Sequence, residues 1–313
     1  MAAIEVTDLT KDYGSVLGVN SLTFAVEDGE VFGFLGPNGA GKTTTIRTLL
    51  GLQSPTSGSA TVLGADVRDE DALVAAKRSI GYLPANPAFD ETATGQEILD
   101  LHASIKGNER SGDLLELFDP PLERTVRQYS TGNKQKLGIV QAFMHDPDLV
   151  VLDEPTSGLD PLMQHRFEEF VRAERDRGVT VFFSSHVLGE VRRVCDRVGV
   201  LRDGRLAATE RVEDLLHRSG KAVHARVADH LSPADFDIGG VHDLEIHESD
   251  GEGVVDATFT YTGDVNDLLA QLRRYDLVDL TVEEAPLEDV FMRFYGNDAR
   301  EAAVAVDGGV ADV

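Results

Sequence analysis

The stretch GPNGAGKT, residues 36–43, has the G-x-x-x-x-G-K-[ST] spacing of a phosphate-binding P-loop. Its glycines let backbone N–H groups wrap around phosphates, Lys42 reaches the β- and γ-phosphates, and the Thr43 hydroxyl binds Mg²⁺. VFGFL (31–35) before it indicates a strand buried on both faces, and KTTTIRTLLGL (42–52) after it has helical spacing. This order of strand, loop and helix supports a nucleotide site. The candidate residues are Gly36, Pro37, Asn38, Gly39, Ala40, Gly41, Lys42, Thr43 and Thr44.

Strand patterns continue on both sides of the P-loop. Residues 4–9 and 21–26 alternate like half-buried antiparallel strands, whereas LVVLD (149–153) and TVFFSS (180–185) are apolar enough to be buried on both faces. A charged helical segment at 162–178 separates the last two. Strands that alternate with helices indicate a mainly parallel sheet. We therefore predict an α/β fold with an antiparallel β subdomain.

Other regions depart from this pattern. Residues 95–145 are rich in helical segments and predict an inserted helical subdomain. After a boundary near Ser219 and Gly220, strand and helix patterns in residues 221–295 predict a small C-terminal α+β domain. Residues 296–313 lack aromatic residues and periodicity, which is typical of a disordered tail.

Two adjacent carboxylates, Asp153 and Glu154, stand where the predicted strand 149–153 ends. A P-loop ATPase places an acid that holds Mg²⁺ at such a strand end, and we assign this metal role to Asp153 together with Thr43. Glu154 is free of the ion, so we predict that it orients and polarises the attacking water. Without the P-loop, a solvated turn would be an equally good interpretation of the two acids.

A second anion-binding pattern follows in YSTGNKQKLG, residues 129–138. Its Ser, Thr and Gly open an amphipathic helix and are suited to hold an anion through a hydroxyl and free N–H groups. Together, the three motifs resemble the nucleotide-binding subunit of ABC transporters, in which this segment grips the γ-phosphate of ATP on a facing subunit. The resemblance implies a dimer around two ATP molecules. In it, Ser130, Gly132 and Gln135 of one copy complete the site of the other.

The resemblance covers residues 1–218 and implies that these residues form the ATPase domain. Three further residue assignments rest on it. Tyr13 would stack on adenine, although a lone aromatic usually packs against its neighbours. Asp160, in SGLD, would belong to the loop that crosses the dimer interface. His186 would contact the γ-phosphate as a catalytic residue, although a His after a strand is ordinarily a polar cap.

Two positions depart from the family pattern. In the second motif Thr131 replaces a Gly, a variant that keeps Ser130, Gly132 and Gln135 in place; the other departure follows Pro84. Family members commonly carry Gln just after the proline corresponding to Pro84, where its carbonyl binds Mg²⁺, but this chain has Ala85. Asn86 reaches the ion only if the loop shifts by about one residue, roughly 3.3 to 3.6 Å of extended chain. We favour water as the replacement, because Mg²⁺ usually keeps several waters.

The resemblance implies ATP and Mg²⁺ as ligands and a separate transmembrane permease as partner, docked near YLPANPAFDE (82–91). APLEDVFMRFYG (285–296) is similar to the end of ATPases in the drug- and antibiotic-exporting branch, which favours export. We find no secretory signal, and no apolar run approaches the roughly 18 residues that span a bilayer. We therefore expect a cytoplasmic protein, peripheral on the inner face of the membrane.

The charge of the chain also restricts its partners. Its 313 residues carry a formal net charge of −26, with acids along the whole length, and such a surface repels nucleic-acid phosphates. We expect no nucleic-acid partner. The chain has 22 Arg but only 7 Lys, and this acidic, Lys-poor balance favours a surface adapted to concentrated salt.

Two rival functions are weighed against transport. A soluble ABC ATPase of DNA repair or translation would have no membrane partner. Repair members insert long coiled coils between the P-loop and the second motif, and translation members carry two ATPase domains per chain; this chain has neither feature. A small-molecule P-loop kinase would leave YSTGNKQ (129–135) unexplained. We therefore expect an ATPase that drives a permease, because this function accounts for every motif.

Overall fold

In a computed structural model of the chain, the described residues are 2–228, 239–248 and 254–284. The chain divides into two compact units, Met1–Val212 and Glu213–Val313. The predicted tail, 296–313, and the segment 285–296 lie outside the described residues.

The first unit interleaves strands with helices. Its strands are β1 (Ala2–Asp12), β2 (Leu17–Glu27), β3 (Val31–Leu35), β4 (Ser57–Val62), β5 (Ala65–Asp66), β6 (Ile80–Leu83), β7 (Leu149–Asp153), β8 (Thr180–Ser185), β9 (Arg197–Arg202) and β10 (Arg205–Arg211). Its helices are α1 (Lys42–Leu49), α2 (Glu70–Ala76), α3 (Gly95–Lys106), α4 (Ser111–Phe118), α5 (Thr131–Phe143), α6 (Pro161–Asp176) and α7 (Leu188–Val194).

The strands of this unit form two sheets. One is antiparallel, in the order β2-β1-β4-β5, and the other has the order β10-β9-β3-β8-β7-β6. All neighbours in the second sheet are parallel except β10 and β9. The predicted α/β fold with an antiparallel subdomain is confirmed. Because β3, β8 and β7 are parallel neighbours, the P-loop, His186 and Asp153 come to one edge of the sheet.

Aromatic packing joins the two sheets. Phe24 of β2 stacks on Phe32 of β3 with ring centroids 5.7 Å apart, and Phe34 lies 5.1 Å from Phe182 of β8. All four side chains are buried. Full burial of such a side chain stabilises the fold by roughly 1.5–3 kcal/mol, so this contact fixes β3 in the core and the P-loop above it.

Residues 95–145 contain the helices α3, α4 and α5. A capping box starts α3: Glu97 N–H donates to Thr94 Oγ1 (3.2 Å), and Thr94 N–H donates to Glu97 Oε2 (2.8 Å). Phe143 of α5 packs edge-on against Phe170 of α6, with ring centroids 4.8 Å apart. This contact holds the helical block against α6.

The second unit contains a four-stranded antiparallel sheet in its described part, in the order β12-β13-β11-β14. Its core pairs alternate residues of β11, such as Val223 and Ala225, with Leu268 and Leu272 of a helix. Its elements, with the helix that precedes the sheet, are α8 (Val212–Ser219), β11 (Lys221–Val227), β12 (Val241–Glu248), β13 (Val255–Tyr261), α9 (Val265–Leu272) and β14 (Leu277–Glu284).

The division between the units falls at the first residue of α8, whereas the sequence places the boundary after this helix, near Ser219. Among the described helices of both units, none combines the length and the apolar character needed to cross a bilayer.

Candidate active site

A cavity of about 340 Å³ opens beside the P-loop. It brings together residues that lie far apart in the sequence, including the P-loop, the aromatic candidate that follows β1 and the two carboxylates at the end of β7. The lining residues are Tyr13, Val16, Leu17, Gly18, Pro37, Asn38, Gly39, Gly41, Lys42, Thr43, Thr44, Ala85, Asp153 and Glu154.

Different constraints require glycine at the different P-loop positions. A Cβ on Gly36 would collide with the carbonyl oxygen of Leu201, and one on Gly41 would lie 2.5 Å from the carbonyl oxygen of Gly18. Gly41 also has a φ of +110° and begins α1 with no side-chain cap, which leaves the first-turn N–H groups to a ligand. Gly39, at φ +84°, faces open space. This geometry fits a phosphate chain above the loop.

Lys42 is a buried cation at this site. Its Nζ donates to the carbonyl oxygen of Gly36 (2.6 Å) and lies 3.3 Å from Glu154 Oε1. Only 6% of Lys42 is exposed, so the carboxylate offsets the cost of burying its charge. A phosphate group that enters the cavity finds this ammonium already in position.

The Asp153 carboxylate is held from both sides. Thr43 Oγ1 donates to its Oδ2 (3.0 Å), and Ser184 Oγ donates to its Oδ1 (3.0 Å). The pKa of Asp153 is raised above its ordinary value, because the effect of burial is larger than the lowering by these two hydrogen bonds. A cation would relieve the cost of burial, and the oxygens of Thr43 and Asp153 are donors that Mg²⁺ prefers.

No group of three or more His, Cys, Asp and Glu suited to a metal occurs in the described part of the chain. Thr43 and Asp153 alone do not fill an octahedral shell, so phosphate oxygens and water would have to complete it. This donor set fits a metal that arrives with a nucleotide.

Glu154 and His186 meet at the end of the neighbouring strands β7 and β8. His186 Nδ1 lies 2.6 Å from Glu154 Oε2, and the backbone N–H of Glu154 donates to the carbonyl oxygen of Ser184 (3.0 Å). Glu154 has a φ of +50°, which is uncommon for a residue with a side chain and typical of strained active-site positions. The structure therefore brings the two predicted catalytic residues into contact.

The second anion-binding segment does not share this cavity. Ser130 is exposed, and its Oγ accepts a hydrogen bond from Asn133 N–H (3.2 Å) at the start of α5. A Cβ on Gly132 would lie 2.7 Å from the carbonyl oxygen of Gly158. Neither Ser130 nor Gly132 is among the described residues that line the cavity. Gly132 therefore packs on the SGLD loop.

Two other predicted residues have structural partners. Gln135 is buried (1% exposed), and its Nε2 donates to the carbonyl oxygen of Pro155 (2.8 Å), so it supports the loop after Glu154. Asp160 is exposed and caps α6 by accepting from Met163 N–H (2.9 Å).

Tyr13 and Ala85 both line the cavity. The Tyr13 hydroxyl donates to Gln53 Oε1 (2.7 Å), and Lys11 Nζ lies 5.2 Å from the ring centroid. Half of Tyr13 is exposed (51%), which leaves surface for a base. Asn86 is exposed and is not among the described lining residues.

Comparison with known proteins places the chain in a family. The ABC transporter family model matches residues 19–157, which include the P-loop and both carboxylates. The bacitracin transport ATP-binding protein of Bacillus licheniformis is 36% identical over 304 residues, covering 94% of this chain and 97% of that protein. The chain belongs to the ATP-binding subunits of ABC transporters. It is an ATPase of this family.

Two more similarities extend this result. The subunit is 34% identical over 310 residues to the Nod factor export ATP-binding protein I of Rhizobium sp. (strain N33), covering 95% of this chain and 98% of that protein. A solved ATP-binding subunit of an ABC transporter has a TM-score of 0.62 at 34% identity, covering 69% of this chain and 92% of that one.

Ser184, which binds Asp153, and Gln53, which binds Tyr13, were not predicted from the sequence. The sequence did contain an indication of Ser184, because hydroxyl residues at the end of the apolar run TVFFSS (180–185) need a buried polar partner. No sequence pattern indicated Gln53, because its contacts to Tyr13, after β1, and to Thr44 of α1 form only in the folded chain.

Proposed function

We propose that this ABC ATPase subunit hydrolyses Mg²⁺-ATP as a dimer and drives a separate transmembrane permease for export. The observation that carries the proposal is the chain of contacts Lys42–Glu154–His186 at the cavity, at distances of 3.3 and 2.6 Å. It joins the Lys42 ammonium, which is suited to bind phosphate, to the Glu154 carboxylate, which is suited to accept a proton, and to the His186 imidazole.

In the proposed reaction, residues 36–44 hold the phosphates and Lys42 balances their charge. Glu154 orients water and accepts its proton as the water oxygen bonds to the γ-phosphorus; the bond to the bridging oxygen breaks, and its electron pair leaves with ADP. His186 contacts the γ-phosphate. Mg²⁺, held by Thr43 and Asp153, would neutralise charge on the β- and γ-phosphates.

The exposed residues Ser130, Thr131, Gly158 and Asp160 form what we term the signature face. Its two segments are in contact, since a Cβ on Gly158 would lie 2.9 Å from Thr131 Cγ2. Ser130 lies outside the cavity of its own chain. In the proposed dimer it therefore binds ATP that is held by the P-loop of a second copy or of a related subunit. Gln135 contributes by supporting the Glu154 loop.

We further propose residues 1–218 as the ATPase domain and residues 221–295 as an accessory domain. The names of the two relatives, which specify bacitracin transport and Nod factor export, support a permease partner over a role in DNA repair or translation. Leu101 and Ile105, one turn apart on α3, are 61% and 71% exposed and would receive a cytoplasmic helix of that permease. The subunit would then lie on the inner face of the membrane.

The permease partner is tested by purifying the tagged full-length chain from detergent-solubilised membranes and identifying bound proteins by mass spectrometry. We expect a multi-span membrane protein with the wild type and its loss with Leu101→Glu/Ile105→Glu. Val278→Glu, at an apolar position 55% exposed in β14, is the control that should retain it. Recovery of nucleic acid instead, or retention by the double variant, would overturn the proposal.

A separate proposal concerns salt. The net charge of −26 creates self-repulsion, and salt screens it, so the protein should be adapted to concentrated salt. Urea unfolding at low and at molar KCl tests this idea. Higher stability in molar KCl is expected, whereas equal stability would refute it.

A further inference from the structure

Glu190 is a buried carboxylate in the first turn of α7, with 6% of its surface exposed. Its Oε1 accepts a hydrogen bond from Thr156 Oγ1 (2.5 Å), and its Oε2 accepts one from Ser185 Oγ (2.6 Å). These distances are those of charge-assisted O–H···O⁻ bonds, which are about twice as strong as neutral ones. One side chain thus ties the loop after β7 to the last residue of β8, which leads into the loop that carries His186.

The two loops carry the proposed catalytic pair. Thr156 lies two residues after Glu154, and Ser185 immediately precedes His186. Strands β7 and β8 pair in parallel up to Asp153 and Ser184, one further bond joins Glu154 N–H to the carbonyl oxygen of Ser184, and β3 pairs with β8 as far as Ser185. The sheet ends there, so side-chain contacts help to set the position of the Glu154 carboxylate against His186.

The conformation of Glu154 makes such contacts necessary. A residue with a side chain at φ +50° persists only where its surroundings enforce it, and such strain costs on the order of 1–3 kcal/mol. Two buried side chains hold the loop that follows: Gln135 binds the carbonyl oxygen of Pro155, and Glu190 binds the hydroxyl of Thr156. Only Glu190 also reaches the His186 loop.

Helix α7 gives Glu190 a rigid support. It packs directly on β3 because Gly33 has no side chain; a Cβ there would lie 2.9 Å from Val191 Cγ1 and 3.0 Å from Cys195 Sγ. Since β3 leads into the P-loop, the same strand positions the phosphate cradle and the helix that bears Glu190.

A Glu in the first turn also stabilises a helix by capping or through the helix dipole. Here the backbone N–H of Val187, the N-cap residue, donates to Ser185 Oγ (2.9 Å). The Glu190 carboxylate is instead turned to the two hydroxyls, so capping does not explain its placement.

We infer that Glu190 is a positioning residue for ATP hydrolysis, which holds Glu154 and His186 in register by binding Thr156 and Ser185. The inference rests on the proposed roles of Glu154 and His186. Glu190 does not line the cavity in the described chain, so its loss should leave ATP binding in place. It should act on the chemical step.

Glu190→Gln in the full-length chain tests this inference, because the amide keeps the shape but offers one acceptor oxygen instead of two. We expect kcat to fall about 10- to 100-fold, as for a misplaced catalytic group, with KM for ATP within about threefold of wild type. Glu168→Gln is the matched control: Glu168 is also buried (2% exposed) and binds α7 through Arg193, but it touches neither loop.

The control should lower Tm and leave kcat within about twofold. Equal kcat in Glu190→Gln and Glu168→Gln, or a rise in KM as large as the fall in kcat, would overturn the inference. If Glu154→Gln retained wild-type turnover, the proposed function itself would be wrong. Failure of the proposed function and failure of the inference about Glu190 are therefore distinguished by different variants.

Thr156→Val supplies a milder variant that keeps the side-chain volume and removes only the hydroxyl. We expect kcat to fall about three- to tenfold, because one of the two links is lost. Combined with Glu190→Gln, it should add little, since both changes break one network. Multiplicative losses in the double variant would show that the two residues act independently and would overturn the inference.

Discussion

Helices α1 and α5 both begin at a segment suited to an anion, yet their first turns differ. At α1, Gly41 leaves the N-terminus without a side-chain cap, and the turn opens into a cavity beside Lys42. At α5, Ser130 caps its own helix, and Ser130 and Thr131 are exposed to solvent. The uncapped, enclosed start of α1 is suited to hold a ligand within its own chain. A capped start such as that of α5 also occurs at α6, so the role of Ser130 toward a facing subunit rests on our proposal.

The change with the largest expected effect tests the enclosed site. Glu154→Gln removes the carboxylate and keeps its shape, so turnover should fall by about 10²- to 10⁴-fold while ATP still binds. The bound ATP should hold a dimer that size-exclusion chromatography detects. Turnover at the wild-type rate would remove Glu154 from its proposed role.

Ser130→Arg tests the exposed site and should show the next largest effect. A bulky side chain where the facing γ-phosphate is received should lower hydrolysis by about 10²-fold and prevent dimerisation. Binding of ATP to the P-loop of the same chain should survive in a fluorescence titration. Ser104→Arg, at another exposed position, is the control. Normal hydrolysis by a monomeric Ser130→Arg variant would refute the account of two half-sites.

Acid should weaken the attachment of the helical block that carries α5. His102 of α3 and His145, just after α5, have rings 5.4 Å apart, and burial lowers the pKa of each to about 4 from 6.5. Their neutral forms therefore stabilise the fold fully above pH 6.5, and this contribution is lost as the pH falls from 6.5 through 4. Lys106 also lowers both pKa values, and Asp146 raises that of His145.

Urea unfolding of His145→Gln measures this contribution. Its free energy of unfolding should fall less steeply than that of the wild type between pH 6.5 and pH 4, because one fewer group takes up a proton on unfolding. Titrating carboxylates affect both proteins alike. Parallel curves would show that His145 does not contribute.

The smallest effect is expected at the exposed loop beside the cavity. Asn86→Ala should leave basal ATPase activity within about threefold of wild type, since water can complete a Mg²⁺ shell without any movement of the loop. A much larger loss, or an ATP-bound structure with the Asn86 oxygen about 2.0 to 2.1 Å from Mg²⁺, would show that Asn86 replaces the missing glutamine.

Local patterns predicted the strands that carry the site. The runs 31–35, 149–153 and 180–185 became β3, β7 and β8 at the predicted bounds, because a strand buried on both faces must be apolar throughout. The predicted boundary near Ser219 was placed after the helical pattern of α8, whereas the two compact units divide at its first residue.

The sequence by itself determined which residues are candidates for binding phosphate and accepting a proton, since the spacing of Lys42, Thr43, Asp153 and Glu154 relative to strand ends is a local property. Tertiary structure alone decided that Ser184 and Thr43 share Asp153, and that Glu190 joins the Glu154 and His186 loops. These partners lie on different strands and helices. Their contacts exist only once parallel strands align their carboxyl ends and burial forces each carboxylate to find a donor.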